Sequence, residues 1–151
     1  MSKVVPVYQY YAKQPYGGIR YFYSIDSNVE AGWTLDKDCN DGVAFKAFKE
    51  KQKGTVPVYQ YYVEQPYGGI RYFYSTDPHV EAGWTLDKDY NCGIAFYACV
   101  EPSLSATPVY QYYFKQEDIG GFRHFYSKDP NIGAGWTLDT DYKEGIAFYA
   151  L

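Results

Sequence analysis

Apolar and polar residues follow one another along this chain in short runs, and none of them sustains a helical period. Val7–Tyr11 is rich in tyrosine and therefore β-prone, and Pro15-Tyr16-Gly17-Gly18 breaks it. Ile19–Ser24 makes a second strand, closed by the polar cluster Asp26-Ser27-Asn28. Trp33–Leu35 makes a third, which ends in the turn-rich segment Asp36–Gly42, and Val43–Phe48 a fourth. In that last strand Val43, Phe45 and Ala47 share one face by the two-residue period. Lys46 falls on the other face, where later copies carry Tyr97 and Tyr149, so half-exposure is expected there. Val29-Glu30-Ala31 offers at most a single helical turn.

The pattern comes round three times. Pro6–Tyr11 returns as Pro57–Tyr62 and Pro108–Tyr113, at a spacing of 51 residues. Residues 6–48 and 57–99 agree at 33 of 43 positions; 57–99 and 108–151 agree at 29, with one insertion. Repeats 6–56, 57–107 and 108–151 tile the 151 residues as one domain. Twelve strands in three sets of four predict an all-β fold of the β-trefoil kind. One four-stranded unit cannot bury its apolar face, and a ring of three leaves few open edges. A three-bladed propeller is too small to close, and a threefold β-prism normally uses a shorter repeat.

Several motifs recur in order: Pro-Val-Tyr-x-x-Tyr, then His124-Phe125-Tyr126-Ser127, then Gly-Trp, then Gly-Ile-Ala-Phe-Tyr-Ala. In this the chain resembles a trefoil-type repeat family described as a domain of unknown function, marked by a His-Phe-Tyr-Thr motif in each copy. The first two copies depart from that mark, with Tyr21-Phe22-Tyr23-Ser24 and Tyr72-Phe73-Tyr74-Ser75. The resemblance implies a trefoil with an accessory, glycan-binding role, many members lying beside secreted hydrolases or cell-wall proteins. It implies no reaction, and a site built on the motif's histidine would be missing from two copies.

The net charge of −4 is scattered, which argues against a phosphate-backbone binder and leaves neutral ligands open. Cys39, Cys92 and Cys99 occupy non-equivalent places, a poor disulfide framework that suits a reducing compartment, with a Cys92–Cys99 pairing left open. No signal-like or membrane-spanning run follows Met-Ser-Lys. A cytoplasmic location is the expectation, with non-classical release left open and no membrane insertion.

Catalytic and metal signals are weak. His79 reads as a turn residue and His124 as a strand residue, neither with a nucleophile at motif spacing. Asp36-Lys37-Asp38 with Asn40 lacks the glycine and distal glutamate of a calcium loop. No cofactor and no enzymatic activity are expected.

Aromatic residues are the anomaly: 20 tyrosines, 9 phenylalanines and 3 tryptophans. Much of this must be core, yet stiff rings with polar tips also suit binding surfaces. Each copy adds the same polar set. Arg20, Arg71 and Arg123 precede the second strand, and Asp26, Asp77 and Asp129 follow it. Trp33, Trp84 and Trp136 open the third strand, and Asp36, Asp87 and Asp139 close it. Within a hairpin Asp26 would approach Trp33, giving a ring to stack on a pyranose and a carboxylate to accept its hydroxyls. The alternatives are that Trp33 plugs the core and that Arg20 pairs with Asp36. Tyr16 and Tyr67 join the candidates beside the Gly-Gly turn; copy three carries Glu117-Asp118-Ile119 there, so its site should differ.

These residues predict a lectin with up to three sugar sites acting together on glycans or glycoconjugates. An exposed aromatic rim could also support a homodimer. The rival is a protein-binding or protease-inhibitor trefoil that works through one loop, either Glu117–Gly121 or a linker. Single-stranded nucleic acid on the Arg-Tyr-Phe-Tyr strands is the weakest reading, given the acidic charge.

Overall fold

A computed structural model describes residues 3–15, 18–29, 32–66, 68–80, 83–116, 121–133 and 135–151. The first repeat contains β1 (Val4–Lys13), β2 (Ile19–Ser24), β3 (Thr34–Leu35) and β4 (Val43–Phe48). The second contains β5 (Thr55–Glu64), β6 (Ile70–Ser75), β7 (Thr85–Leu86) and β8 (Ile94–Cys99). The third contains β9 (Thr107–Lys115), β10 (Phe122–Ser127), β11 (Thr137–Leu138) and β12 (Ile146–Ala150). The expected all-β class holds, and the second and fourth strands of the first repeat have the bounds read from the sequence. The single turn expected at Val29-Glu30-Ala31 falls partly outside the described residues.

The long first strand organises each repeat. β1 pairs along one edge with β2, from Tyr8↔Ser24 to Lys13↔Ile19. Its other edge takes β4 first and β3 further on, through Tyr10↔Leu35 and Tyr11↔Thr34. The third strand thus pairs with the first; a β2–β3 ladder is not what brings Asp26 near Trp33. A bulge in the ladder between β1 and β4, at Ala44, recurs at Ala95 and Ala147. Such a bulge bends its strand and increases the local twist. β8 joins β4 and β12 through Phe48↔Tyr97 and Cys99↔Tyr149. Lys46 and Leu151 exchange both backbone hydrogen bonds at 2.9 Å, which links the first repeat to the end of the third.

Three layers of equivalent side chains fill the axis where the repeats meet. Phe45, Phe96 and Phe148 stand edge to face, with centroids 5.4–5.5 Å apart. Next to them Tyr23, Tyr74 and Tyr126 cross at 88–90° and are about 1% exposed. Each phenol accepts one neighbour's backbone N–H and donates to that residue's carbonyl. Buried Tyr hydroxyls need partners, and this ring supplies all three without water. Just past the ends of β1, β5 and β9, Gln14, Gln65 and Gln116 close a third ring, amide to carbonyl, at 2.9–3.2 Å. Six buried polar side chains therefore select this association of repeats over a merely greasy one.

The segment after β3 shows a local feature that the turn composition alone left open. Asn40, Asp41 and Gly42 take φ of 45°, 58° and 94° in one tight left-handed turn, repeated at 91–93 and 143–145. A Cβ on Gly42 would lie 2.7 Å from the Leu35 side chain, so glycine is needed there both for φ and for space.

Candidate ligand-binding clefts

β2 is half-buried over residues 19–21 and buried over residues 22–24, and its successive side chains point to opposite faces. Tyr21 and Tyr23 face one side; Arg20, Phe22 and Ser24 face the other, toward the following repeat. Arg20 crosses the boundary and donates through Nη1 to the Ile70 carbonyl at 2.8 Å. Arg71 does the same to Phe122 at 2.7 Å, and Arg123 to Ile19. Each guanidinium passes over a glycine of the next repeat; a Cβ on Gly69 would lie 2.7 Å from Arg20. The same groups lie over the tryptophans, 5.0 Å from Trp33, 5.2 Å from Trp84 and 5.4 Å from Trp136. Arg123 is buried because Phe114 covers it at 4.3 Å, where the other copies have Ala12 and Val63. Each arginine is thus a cation–π strut and a staple between repeats.

The staples mark three equivalent boundary sites, cleft I to cleft III in chain order, and the first of them is an open cavity. Cleft I, of about 530 Å³, lies between the first two repeats. Its aromatic wall is Phe22, Trp33 and Tyr72: Tyr72 is 4.7 Å from Phe22 and 5.9 Å from Trp33. Its polar end holds Ser24, Asp26 and Asn28 from the first repeat and Tyr90 from the second. Asp26 is held by its backbone: Tyr10 donates to its carbonyl at 2.6 Å, and Ser24 Oγ accepts its N–H at 3.0 Å. Its side chain stays exposed, beside a Tyr90 phenol that donates to Oδ2 at 3.4 Å. Burial raises the pKa of Tyr90, so the phenol remains a neutral donor.

Clefts II and III repeat this frame with altered walls. In cleft II, His124 replaces Tyr72 and sits 4.8 Å from Phe73 and 5.7 Å from Trp84. Burial, helped by the nearby Arg71 charge, lowers its pKa to about 3, so the imidazole is neutral. The third cleft places Tyr21 4.7 Å from Phe125 and 5.9 Å from Trp136. Asp77 and Asp129 keep the same backbone clamps, from Tyr61 with Ser75 and from Tyr112 with Ser127.

The predicted residues thus divide. Arg20, Asp26 and Trp33 share cleft I, and their counterparts, Arg71, Asp77 and Trp84, then Arg123, Asp129 and Trp136, hold the same places at the other boundaries. Asp36, Asp87 and Asp139 lie elsewhere and accept hydrogen bonds from buried Gln9, Gln60 and Gln111 at 2.8–2.9 Å. Asp87 lines a separate outer hollow of about 510 Å³ with Tyr62, Trp84 and Asp89. Tyr16, Tyr67 and Glu117-Asp118-Ile119 fall outside the described residues. Sequence reasoning missed Tyr72 and Tyr90, because it assembled each site within one repeat. The available signal was variation: Tyr21, Tyr72 and His124 differ at one position, and Cys39, Tyr90 and Tyr142 at another, in otherwise matching copies.

Among the described residues no group of three or more His, Cys, Asp or Glu could hold a metal, and no helix is long and apolar enough to cross a membrane. A family model described as a domain of unknown function (DUF5648) matches the chain twice, over residues 1–98 and 26–151. The chain belongs to that family. No curated protein and no solved structure matches it.

Proposed function

We propose that this DUF5648 domain is a non-enzymatic lectin, a β-trefoil whose three related sugar clefts lie between its repeats. Supporting the trefoil reading are three four-stranded repeats meeting on the Tyr23, Tyr74 and Tyr126 ring. Cleft I carries the functional reading: an aromatic wall of Trp33 and Tyr72 faces a clamped, exposed carboxylate, Asp26. A pyranose has an apolar C–H face that suits such rings and hydroxyls that suit such an acceptor. The volume is in the range of small-molecule sites.

Single shallow sugar sites bind at about millimolar strength, near −4 kcal/mol. Three on one rigid body gain avidity without any new contact. The partners on this reading are glycans or glycoconjugates bearing several copies of one sugar. The third cleft differs most from the other two and is expected to differ in affinity.

A glycan array, with haemagglutination competed by free sugar, tests the proposal. Binding to one sugar class with multivalent enhancement supports it; silence across a broad panel counts against it.

One observation favours the loop-based rival. Leu104 is fully exposed on the linker between repeats two and three, where Ser103 Oγ accepts the N–H groups of Ser105 and Ala106. An apolar knob on an ordered loop suits a protein partner. Leu104→Ser would abolish such docking and leave glycan binding intact.

A further inference from the structure

Two clefts hold a tyrosine of the following repeat at their polar end, and at that place the third has a cysteine. In cleft I the Tyr90 hydroxyl lies 3.1 Å from Ser24 Oγ. In cleft II the Tyr142 hydroxyl lies 2.6 Å from Ser75 Oγ. The residue at that place in the first repeat is Cys39. The third repeat docks on the first in the same sense as the other boundaries, Arg123 reaching Ile19 as Arg20 reaches Ile70. Cys39 therefore takes the position opposite Ser127. Exposure agrees: Ser24 and Ser75 are 0% exposed beneath their phenols, whereas Ser127 is half-buried.

We propose that the third cleft contains a subsite for a phenolic ring of a ligand, bound where clefts I and II hold the protein's own phenol. The chemistry of that subsite is displayed twice in the molecule. In both, a tyrosine hydroxyl meets a serine Oγ; that of Tyr90 also reaches Asp26 Oδ2 at 3.4 Å, and the Tyr142 ring stands edge-on to Phe73 at 6.2 Å. In the third cleft Ser127 Oγ accepts the Asp129 N–H at 3.0 Å, as Ser24 accepts that of Asp26, and its hydroxyl hydrogen remains for a ligand oxygen. The Asp129 side chain is exposed and accepts from the Asn131 N–H through Oδ1, which leaves lone pairs for a phenol donor. Tyr21, Phe125 and Trp136 supply the apolar wall. A thiol is shorter than a hydroxyphenyl group, so a ring's worth of dispersion contact is lost there and a ligand ring recovers it. The inference needs no sugar, so it stands or falls apart from the lectin reading.

The test is titration of the full chain with p-cresol, followed by calorimetry and by the backbone amide signals of Ser127 and Asp129. The expected result is saturable binding of one p-cresol per chain, with shifts confined to those residues and their neighbours. Cys39→Tyr, which copies the other two repeats and should fold, is expected to weaken binding by about tenfold or more, about 1.4 kcal/mol per tenfold. Tyr90→Cys should raise the stoichiometry from one to two. Absence of saturable binding would overturn the proposal. So would equal affinity for toluene, or undiminished binding by Cys39→Tyr. Should that variant fail to fold, Cys39→Phe and the Tyr90→Cys stoichiometry decide the matter on the same criteria.

Discussion

The Tyr23 phenol donates to the carbonyl of Tyr126 at 3.1 Å and accepts that residue's N–H at 3.0 Å, so one buried oxygen serves both backbone groups of a residue two repeats away. Tyr74 and Tyr126 repeat the arrangement toward their own partners. The three repeats are thus joined by side chains clamping backbone, in addition to the few ladder bonds between β4, β8 and β12.

Tyr23→Phe keeps the ring but leaves a buried N–H and a buried carbonyl unpaired. Unsatisfied buried groups cost about 1–3 kcal/mol each, so a loss of about 2–6 kcal/mol is expected. Urea unfolding should give nearly the same loss for Tyr74→Phe and Tyr126→Phe, since each breaks an equivalent pair. A loss under about half a kcal/mol for any of them would contradict the clamp.

The arginine staples predict a contrast between adjacent glycines. Gly68 and Gly69 have φ of 107° and 83°, so alanine is strained at both by about 1–2 kcal/mol. A Cβ at Gly68 meets nothing within 4 Å, whereas one at Gly69 meets the Arg20 guanidinium. Gly69→Ala should therefore cost about 1–3 kcal/mol more than Gly68→Ala, the usual range for overpacking. Equal melting temperatures for the two variants would show that Arg20 is not held there.

His124 gives a pH signature. Its pKa is about 3 in the folded chain, against 6.5 ordinarily, because burial disfavours the imidazolium. The unfolded chain therefore takes up a proton near pH 6.5 that the folded chain refuses until about pH 3. The stabilising contribution is complete above pH 6.5 and is lost as pH falls toward 3. Replacing His124 with the tyrosine of the other copies should flatten the stability curve between pH 6 and 4 by up to one proton, about 1.4 kcal/mol per pH unit. Parallel curves for variant and parent would contradict the half-buried neutral imidazole.

Much of the architecture was legible because the repeat multiplies every signal. The strand Ile19–Ser24 could be bounded by its Gly-Gly and Asp-Ser-Asn neighbours alone, and the observed limits are the same. Val43–Phe48 announced its buried face by its period, with Phe45 and Ala47 inward and Lys46 outward. What the residues did not show was which neighbour each side chain would meet. Arg20 and Asp36 looked like partners within a repeat, yet Arg20 reaches Ile70 and Asp36 is held by Gln9. Local spacing carries information about the same repeat; a boundary between repeats depends on how three units close, which spacing does not encode. The tyrosine excess divides for the same reason: Tyr23 is axial core, whereas Tyr72, near-identical in local sequence to Tyr21, lines a cleft wall.

On the lectin reading the carboxylates of Asp26, Asp77 and Asp129 act on ligand, since the backbone clamps hold these residues. The side-chain contacts, Tyr90 to Asp26 and the Asn131 N–H to Asp129 Oδ1, are exposed ones that asparagine can keep. Replacing all three by asparagine should leave the unfolding free energy within about 0.5 kcal/mol of the parent, as for other surface changes. It should weaken glycan binding about tenfold or more, because hydrogen bonds to charged groups contribute about 1.5–3 kcal/mol. Unchanged binding on a glycan array would remove these aspartates from the site.

The most direct measurement is the crystal structure of the protein soaked in a mixture of simple sugars. The account predicts a sugar ring at the boundary between repeats, against Trp33 and Tyr72 and within hydrogen-bonding reach of Asp26, with a counterpart beside Trp84 and His124. Density confined to other surfaces, or none in any of the three clefts, would contradict it.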